Sequence, residues 1–182
     1  MDNLKQKYIK ELIPAMKQRF GYQNDMAVPK IIKTIVNVGI GSQALKDDKA
    51  QETISKDLAL ITGQKPAPTL AKKAVSGFKV RKGMIVGLKV TLRGKRMFDF
   101  LSRLVNITLP RTRDFRGLSS KSIDGGGNLS IGIKEHIIFP EISQEDIKKV
   151  FGLEISIVTN AKNREEALEL FNLLGFPIKK DG

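Results

Sequence analysis

The chain has 182 residues, 41% of them hydrophobic, which is enough to bury a core. Its 32 Lys and Arg against 19 Asp and Glu give a formal charge of +13, which indicates an acidic partner. Nucleic acid is favoured over a membrane because no apolar run approaches the ~20 residues of a spanning helix. The first residues lack the apolar core of a signal peptide and the chain has no cysteine, so we expect a cytoplasmic protein without disulfides or thiol chemistry.

Apolar residues at helical spacing recur in five segments. They predict helices at about 4–20, 47–61, 94–109, 143–150 and 163–174. Pro14 is expected to kink the first helix or to start a second segment of it, and the helix from Gly94 is expected to end before Pro110. We find no internal repeat and no low-complexity linker, so the pattern predicts a single domain over residues 1–182.

Runs rich in β-branched residues predict strands at 30–40, 85–92, 128–134 and 153–159. The segment 64–70 contains two prolines, which cannot donate to a ladder, so it is at best an edge strand. Residues 71–84 are predicted to form a long basic loop, and Gly125–Gly127 a hairpin turn. This order predicts an α+β fold with a mainly antiparallel sheet and helices on one face. It is related to the ferredoxin-like split βαβ plan, with an N-terminal helix added.

Alternation along the strands predicts that one face of the sheet stays open and polar. In the strand 85–92, apolar side chains at even positions oppose Gly87, Lys89 and Thr91, and Arg93 continues that face. The strands 128–134 and 153–159 alternate in the same way. The first strand alternates less regularly. We place Ile32, Thr34, Val36 and Val38 on one face of it and Ile31, Lys33, Ile35 and Asn37 on the other. Small, polar and basic side chains on an open face suit an RNA backbone, although such a face can also be merely solvated.

The charge is concentrated in the middle of the chain. From Leu58 to Phe98 there are ten Lys and Arg residues and no acid. A charge run is usually a solvated surface, but one of this length favours a polyanion. With no Trp and 2 Tyr, base stacking on an aromatic platform is not expected, so recognition of a folded RNA by shape and backbone fits better.

Catalytic motifs are weak. Gly39–Ala44 formally matches a dinucleotide-binding fingerprint, but no parallel strand ending in an acid follows it, so we interpret it as a tight turn. His136 is the only histidine, which excludes a pair of histidine ligands for a metal, and we expect a structural or surface role for it. No enzyme activity, cofactor or metal is predicted.

Long stretches of the chain resemble a known family. They are LALITGQKPAPTLAKKAVSGFKVRKG at 58–83, KVTLRGKRMFDFLSRL at 89–104, LPRTRDFRGLSSKSIDGGGNLSIGIKEHIIFPEI at 109–142 and GLEISIVTNAKNREEALELFNLLGFP at 152–177. VPKIIKTIVNVGIG at 28–41 matches less closely. The sequence is similar to the bacterial large-subunit ribosomal protein number five family, which attaches 5S ribosomal RNA to the large subunit.

The resemblance implies a structural role in the central protuberance of the ribosome. It implies binding of 5S rRNA by the open sheet face, a contact of the loop 71–84 with the peptidyl-site tRNA, and a contact of the 109–142 region with a protein of the small-subunit head. It further implies 23S rRNA and neighbouring 5S-associated proteins of the large subunit as partners.

The resemblance implies the site residues, and for the rRNA contacts the strand alternation supports it. For rRNA we expect contacts from Lys33, Asn37, Gln64, Lys89, Thr91 and Arg93. For tRNA we expect contacts from Lys72, Lys73, Phe78, Lys79, Arg81 and Lys82. For the intersubunit contact we expect Arg111, Arg113 and Arg116. Two alternatives stay open: a nucleotide-dependent enzyme using Gly39–Ala44, and an RNA chaperone acting outside the ribosome.

Overall fold

The structure, a computed structural model, describes residues 4–40, 48–113, 115–143 and 150–179. Its strands are β1 (Ile31–Gly39), β2 (Ala67–Leu70), β3 (Ile85–Leu92), β4 (Leu129–Ile133) and β5 (Leu153–Thr159). The α-helical segments are Leu4–Lys7, Ile13–Phe20, Asp48–Thr62, Gly94–Arg103, Leu109–Arg111 and Arg164–Leu174, and π-helical turns occupy Tyr8–Leu12 and Leu104–Thr108. Short 3₁₀ turns lie at Asp25–Ala27, Ser76–Phe78, Ser120–Ser122 and His136–Ile138.

The five strands form one sheet in the order β2-β3-β1-β5-β4. Backbone hydrogen bonds at the strand ends show antiparallel neighbours: Asn160 donates to Lys30, where β5 ends and β1 begins, and Ile40 donates to Val86, where β1 ends and β3 begins. The proline-containing strand β2 lies at the edge, antiparallel to β3. The predicted α+β class, the antiparallel sheet and the N-terminal helix are confirmed.

Burial alternates along most of β3, β4 and β5 as predicted, but Gly87, which the alternation placed on the open side of β3, is buried. In β3, Leu88, Val90 and Leu92 are buried while Lys89 is exposed, and in β4 Leu129, Ile131 and Ile133 are buried between exposed Ser130 and Gly132. In β5 the odd-numbered residues from 153 to 159 are buried. One side of each of these strands therefore contributes to a core, and the other stays accessible.

The start of β1 departs from the predicted facing. Ile31 is buried and Ile32 is exposed, the reverse of the expected assignment, whereas Thr34, Val36 and Val38 are buried as expected. The Asn160 side chain accepts a hydrogen bond from the Lys30 N–H at 2.6 Å, while the Asn160 N–H donates to the Lys30 carbonyl. These two bonds hold the chain where it enters the strand, and the alternation begins only after it.

Pro14 and Pro110 each lie in the first turn of an α-helical segment that directly follows a π turn, so Pro14 starts a second segment of the first helix, one of its two expected roles. The expectation that the third helix ends before Pro110 was wrong, because the backbone remains helical to Arg111. In each case a π turn precedes the proline, and the residue just before it donates to the carbonyl five residues back: Ile13 to Tyr8, and Leu109 to Leu104. In a regular α-helix the proline ring would clash with the carbonyl four residues back, and proline has no N–H to donate to it. The wider π turn makes room for the ring.

The predicted helix at 143–150 lies largely outside the described residues. The chain divides into two compact units, of which the first comprises residues 1–34, 92–131 and 156–182 and the second residues 35–91 and 132–155. The organisation of residues 1–182 as a single domain stays a prediction.

The first unit is built around helices. The N-terminal helical segment contacts the helix Gly94–Arg103 and the helix Arg164–Leu174. Its core includes Leu12, Met16, Phe100, Leu104 and Phe171, each almost fully buried. Gly21 and Gly175 end two of these helices in the left-handed conformation.

The second unit combines the helix Asp48–Thr62 with strand residues. Ile54, Leu58 and Ile61 of the helix are buried, as the helical spacing predicted. His136 is also fully buried, with its ring stacked on Phe151 at 3.9 Å between centroids. Its Nδ1 accepts a hydrogen bond from the Phe151 N–H, and its Nε2 lies 3.8 Å from Asp57 Oδ2. Of the two roles expected for His136, the structure supports the structural one.

Gly127 is required by the turn that leads into β4. Asp124 accepts hydrogen bonds from the N–H of Gly127 and from the backbone and side chain of Asn128. Gly127 has φ +77°, and a Cβ there would lie 2.9 Å from Cβ of Ala161. In the same turn, a Cβ on Gly125 would meet nothing within 4 Å.

We expect Gly127→Ala to lower the free energy of unfolding by about 2 kcal/mol or more, because it combines left-handed backbone strain with overpacking. Gly125→Ala is the matched control and should change that free energy by less than about 0.5 kcal/mol. Urea denaturation of both variants measures the difference. Equal effects of the two substitutions would contradict the structural requirement at Gly127.

The buried His136 predicts a pH dependence of stability. Burial lowers the pKa of the imidazole, and the nearby Asp57 carboxylate raises it less. The unfolded chain therefore takes up this proton at a higher pH than the folded chain. Stability should fall as the pH drops below about 6.5, the ordinary histidine value.

Urea denaturation between pH 7.5 and 5 tests this expectation against His136→Gln. The wild type should lose free energy of unfolding relative to the variant as the pH decreases. A difference between the two proteins that stays constant over this range would show that folding does not shift the histidine pKa.

Candidate nucleic-acid interface

Within the second unit, the open side of the sheet carries polar side chains on several strands. Asn37 on β1 is half-buried, Lys89 on β3 is exposed, and Thr91 on β3 is half-buried. Gly87 on β3 approaches β1 so closely that a Cβ there would lie 2.9 Å from the Val38 carbonyl oxygen. Three of the predicted rRNA-binding residues thus belong to one surface, which we call the open face: Asn37, Gly39, Lys89, Thr91, Gly132, Lys134 and Glu154.

Gln64 is anchored beside this surface. Its side-chain amide donates to the Thr91 carbonyl at 3.4 Å. The Thr62 hydroxyl donates to the Leu58 carbonyl and also bonds to the backbone of Gln64, which fixes the segment after the helix Asp48–Thr62. The structure therefore brings Gln64 and Thr91 together, as expected for two residues of one binding surface.

Two predicted rRNA-binding residues belong to the first unit. Lys33 is half-buried on β1 and alternates in phase with Asn37 along that strand. Arg93 is exposed and immediately precedes the helix Gly94–Arg103, where it is the extended N-cap residue. Both can present a cation to a phosphate, since no residue in the described ranges forms an ion pair with either of them.

The basic loop 71–84 forms a small hairpin with bonds of its own. Val75 and Val80 exchange two backbone hydrogen bonds, and the Ala71 N–H donates to the Met84 carbonyl. Lys79 adopts the left-handed conformation with φ 54°, which completes the turn at the tip. The hairpin is thus more ordered in its backbone than a structureless loop, although nearly all its side chains are exposed.

The predicted tRNA-binding residues all project from this hairpin. Phe78 is 74% exposed at the tip, an unusual position for a phenylalanine side chain. The five cations around it are all exposed: Lys72, Lys73, Lys79, Arg81 and Lys82. An exposed ring among cations can stack on a base or ribose while the cations meet phosphates.

The three arginines predicted for the intersubunit contact lie in the first unit. Arg111 is the last helical residue of Leu109–Arg111, and Arg113 and Arg116 follow in irregular backbone. All three are exposed, as a surface contact requires.

The enzyme alternatives gain no support. Gly39 ends β1 as expected for a turn, but the rest of Gly39–Ala44 lies mostly outside the described residues. Across the described ranges, no group of three metal-ligating side chains comes together. In the same ranges, no helix is both long and apolar enough to cross a membrane.

Sequence reasoning missed part of the open face. A hollow of about 470 Å³ is lined by Asn37 together with Gly39, Gly132, Lys134, Gly152 and Glu154. The strand alternation had already placed Gly132 and Lys134 outward. The additional signal is structural, because β4 and β5 are neighbours in the sheet and bring Lys134 and Glu154 to one place.

Family models match most of the chain. The model described as Ribosomal protein L5 matches residues 24–81, and the model of the C-terminus of the same ribosomal protein family matches residues 85–178. These ranges include every predicted site residue except Lys82, which lies between them.

Curated relatives match the chain over its length. A protein of Dictyoglomus turgidum is 54% identical over 180 residues, which cover 99% of this chain and 100% of the relative. Proteins of Carboxydothermus hydrogenoformans and Halothermothrix orenii are each 53% identical with the same coverage. All three relatives are named large ribosomal subunit protein uL5.

The hairpin 71–84 should open readily in the free protein. Its hydrogen bonds are supported by almost no apolar burial, and its cations repel one another. We expect the Val75 and Val80 amides to exchange within about tenfold of unstructured rates, whereas the buried Val90 amide on β3 should be protected far more strongly. Hydrogen exchange followed by NMR measures this. Protection at Val75 equal to that at Val90 would contradict the expectation.

Proposed function

This chain belongs to the ribosomal protein L5 family and is a constituent of the large ribosomal subunit rather than an enzyme, and on that premise we propose that it binds 5S rRNA through the open face and helps to hold that RNA in the central protuberance. The observation that carries the proposal is the set of predicted contact residues gathered on one surface of the second unit. Asn37, Lys89 and Thr91 are accessible there, and Gln64 is bonded to the Thr91 carbonyl.

The chemistry of these side chains suits a folded RNA. Lys89 can neutralise a phosphate, while the amides of Asn37 and Gln64 and the Thr91 hydroxyl can bond to riboses and base edges. Because the residues lie on strands or are hydrogen-bonded to one, they hold a fixed arrangement and can select an RNA shape. Lys33 and Arg93 are proposed as further rRNA contacts, made by the first unit.

The hairpin 71–84 suits a different partner. Its exposed Phe78 and five cations belong to a hairpin that has almost no buried apolar side chains. The hairpin can therefore change conformation as a partner binds and dissociates repeatedly. We assign it to the peptidyl-site tRNA. Arg111, Arg113 and Arg116 are assigned to a protein of the small-subunit head. Contacts with 23S rRNA and with neighbouring 5S-associated proteins are part of the same proposal.

Two variants separate the proposed surfaces. The first carries Asn37→Ala, Lys89→Ala and Thr91→Ala, and its affinity for 5S rRNA should fall by at least tenfold, since each contact contributes about 1–3 kcal/mol. The second carries Gln in place of the five hairpin cations. It should keep most specific 5S binding and lose retention of tRNA in the peptidyl site of reconstituted ribosomes.

Filter binding at one salt concentration and tRNA retention on ribosomes are the measurements. Lys10→Ala, which removes one exposed cation as the first variant does, is the matched control and should behave as the wild type. If the hairpin variant loses 5S binding while the sheet variant keeps it, the two assignments are reversed. If wild-type protein fails to bind 5S rRNA, the proposed function is wrong.

A further inference from the structure

The floor of the hollow in the open face consists partly of glycines, and Ile133 and Leu153 also line the hollow. Gly39, Gly132 and Gly152 line it, and Asn37, Lys134 and Glu154 surround it. It opens broadly to solvent, and its volume is about 470 Å³. All of these residues belong to the second unit.

Two of the three glycines are not required by the fold. Gly39 and Gly132 do not have a positive φ, and a Cβ on either would meet nothing within 4 Å. Gly152 differs, because a Cβ there would lie 3.1 Å from the Ile133 carbonyl oxygen. Glycine weakens a strand and often marks a place where a ligand comes close to the backbone. Gly39 and Gly132 therefore point to a ligand rather than to folding.

The polar groups around the hollow are available for such a ligand. No side-chain hydrogen bond or ion pair of Asn37, Lys134 or Glu154 occurs in the part of the chain that the structure describes. Glu154 is the one acid among the residues that define the open face, and a carboxylate there opposes phosphate binding. Its place on such a surface is explained if it accepts hydrogen bonds from bases.

We infer that this hollow receives an unpaired guanine of the bound RNA, with its Watson–Crick edge on Glu154 and its backbone phosphate near Lys134. The inference rests on the proposed binding of RNA by the open face. A carboxylate only accepts hydrogen bonds, and it can accept two in parallel. Guanine presents two adjacent donors, N1–H and N2–H₂, on that edge, whereas adenine, cytosine and uracil each present a single donor group there. Single-stranded bases are commonly read on this edge by proteins.

Pentaribonucleotides test the base preference directly. We would measure by fluorescence anisotropy the binding of UUGUU, UUAUU, UUCUU and UUUUU. The wild type should bind UUGUU about tenfold more tightly than the other three, the scale of discrimination expected of a bidentate contact. Glu154→Gln should remove this preference, because an amide presents one acceptor and one donor in place of two acceptors.

A second set of variants tests the hollow with 5S rRNA. Gly132→Val fills the floor, and it should weaken 5S binding about tenfold while the melting temperature stays equal or rises. Gly132→Ala should have the same effect in smaller degree. Gly125→Ala is the matched control, since Gly125 also has open space around its Cβ but does not line the hollow.

The outcomes separate this inference from the proposed function. If wild-type protein binds 5S rRNA and Gly132→Val binds it equally well, the hollow is not a binding site although the proposed function stands. A preference for UUCUU, or equal binding of all four pentamers, overturns the assignment to guanine. If wild-type protein does not bind 5S rRNA at all, the proposed function itself fails.

Discussion

The alternation of buried and exposed side chains along β4, β5 and most of β3 is the constraint on which the rest of the structure depends. Because Leu88, Val90 and Leu92 must be buried, Lys89 and Thr91 must face the other way. A slip of one residue would bury a lysine and expose three apolar side chains. The core therefore determines which side chains the open face presents, and the proposed RNA-binding surface needs no element dedicated to it.

Features with a local cause could be predicted from the sequence. The bounds of β3 and β5 follow from their alternation and from the residues that flank them, and both were predicted to the residue. The left-handed ends of two helices follow from Gly21 and Gly175 alone. The candidate rRNA-binding residues on β3 follow from the same alternation, since Lys89 and Thr91 could face only outward.

Features that depend on distant residues could not be predicted. The facing of Ile31 and Ile32 is set by hydrogen bonds between Lys30 and Asn160, which are 130 positions apart in the chain. The helix continues past Pro110 because a π turn makes room for the ring, and proline-ending rules describe only regular α-helices. The hollow of the open face likewise escaped prediction, since its lining residues come from segments that are far apart in the chain.

The glycines show why the three-dimensional structure was needed to separate function from folding. Sequence alone places Gly127 in a turn, but it does not separate Gly87 from Gly132, since each is a glycine within a predicted strand. In the structure, Gly87 permits a close approach of two strands and Gly127 permits a left-handed turn, so both serve the fold. Gly132 meets neither condition, and its lack of a side chain leaves open space on a polar surface. A strand glycine that the fold does not need costs stability, so a role outside folding is the remaining physical reason for it.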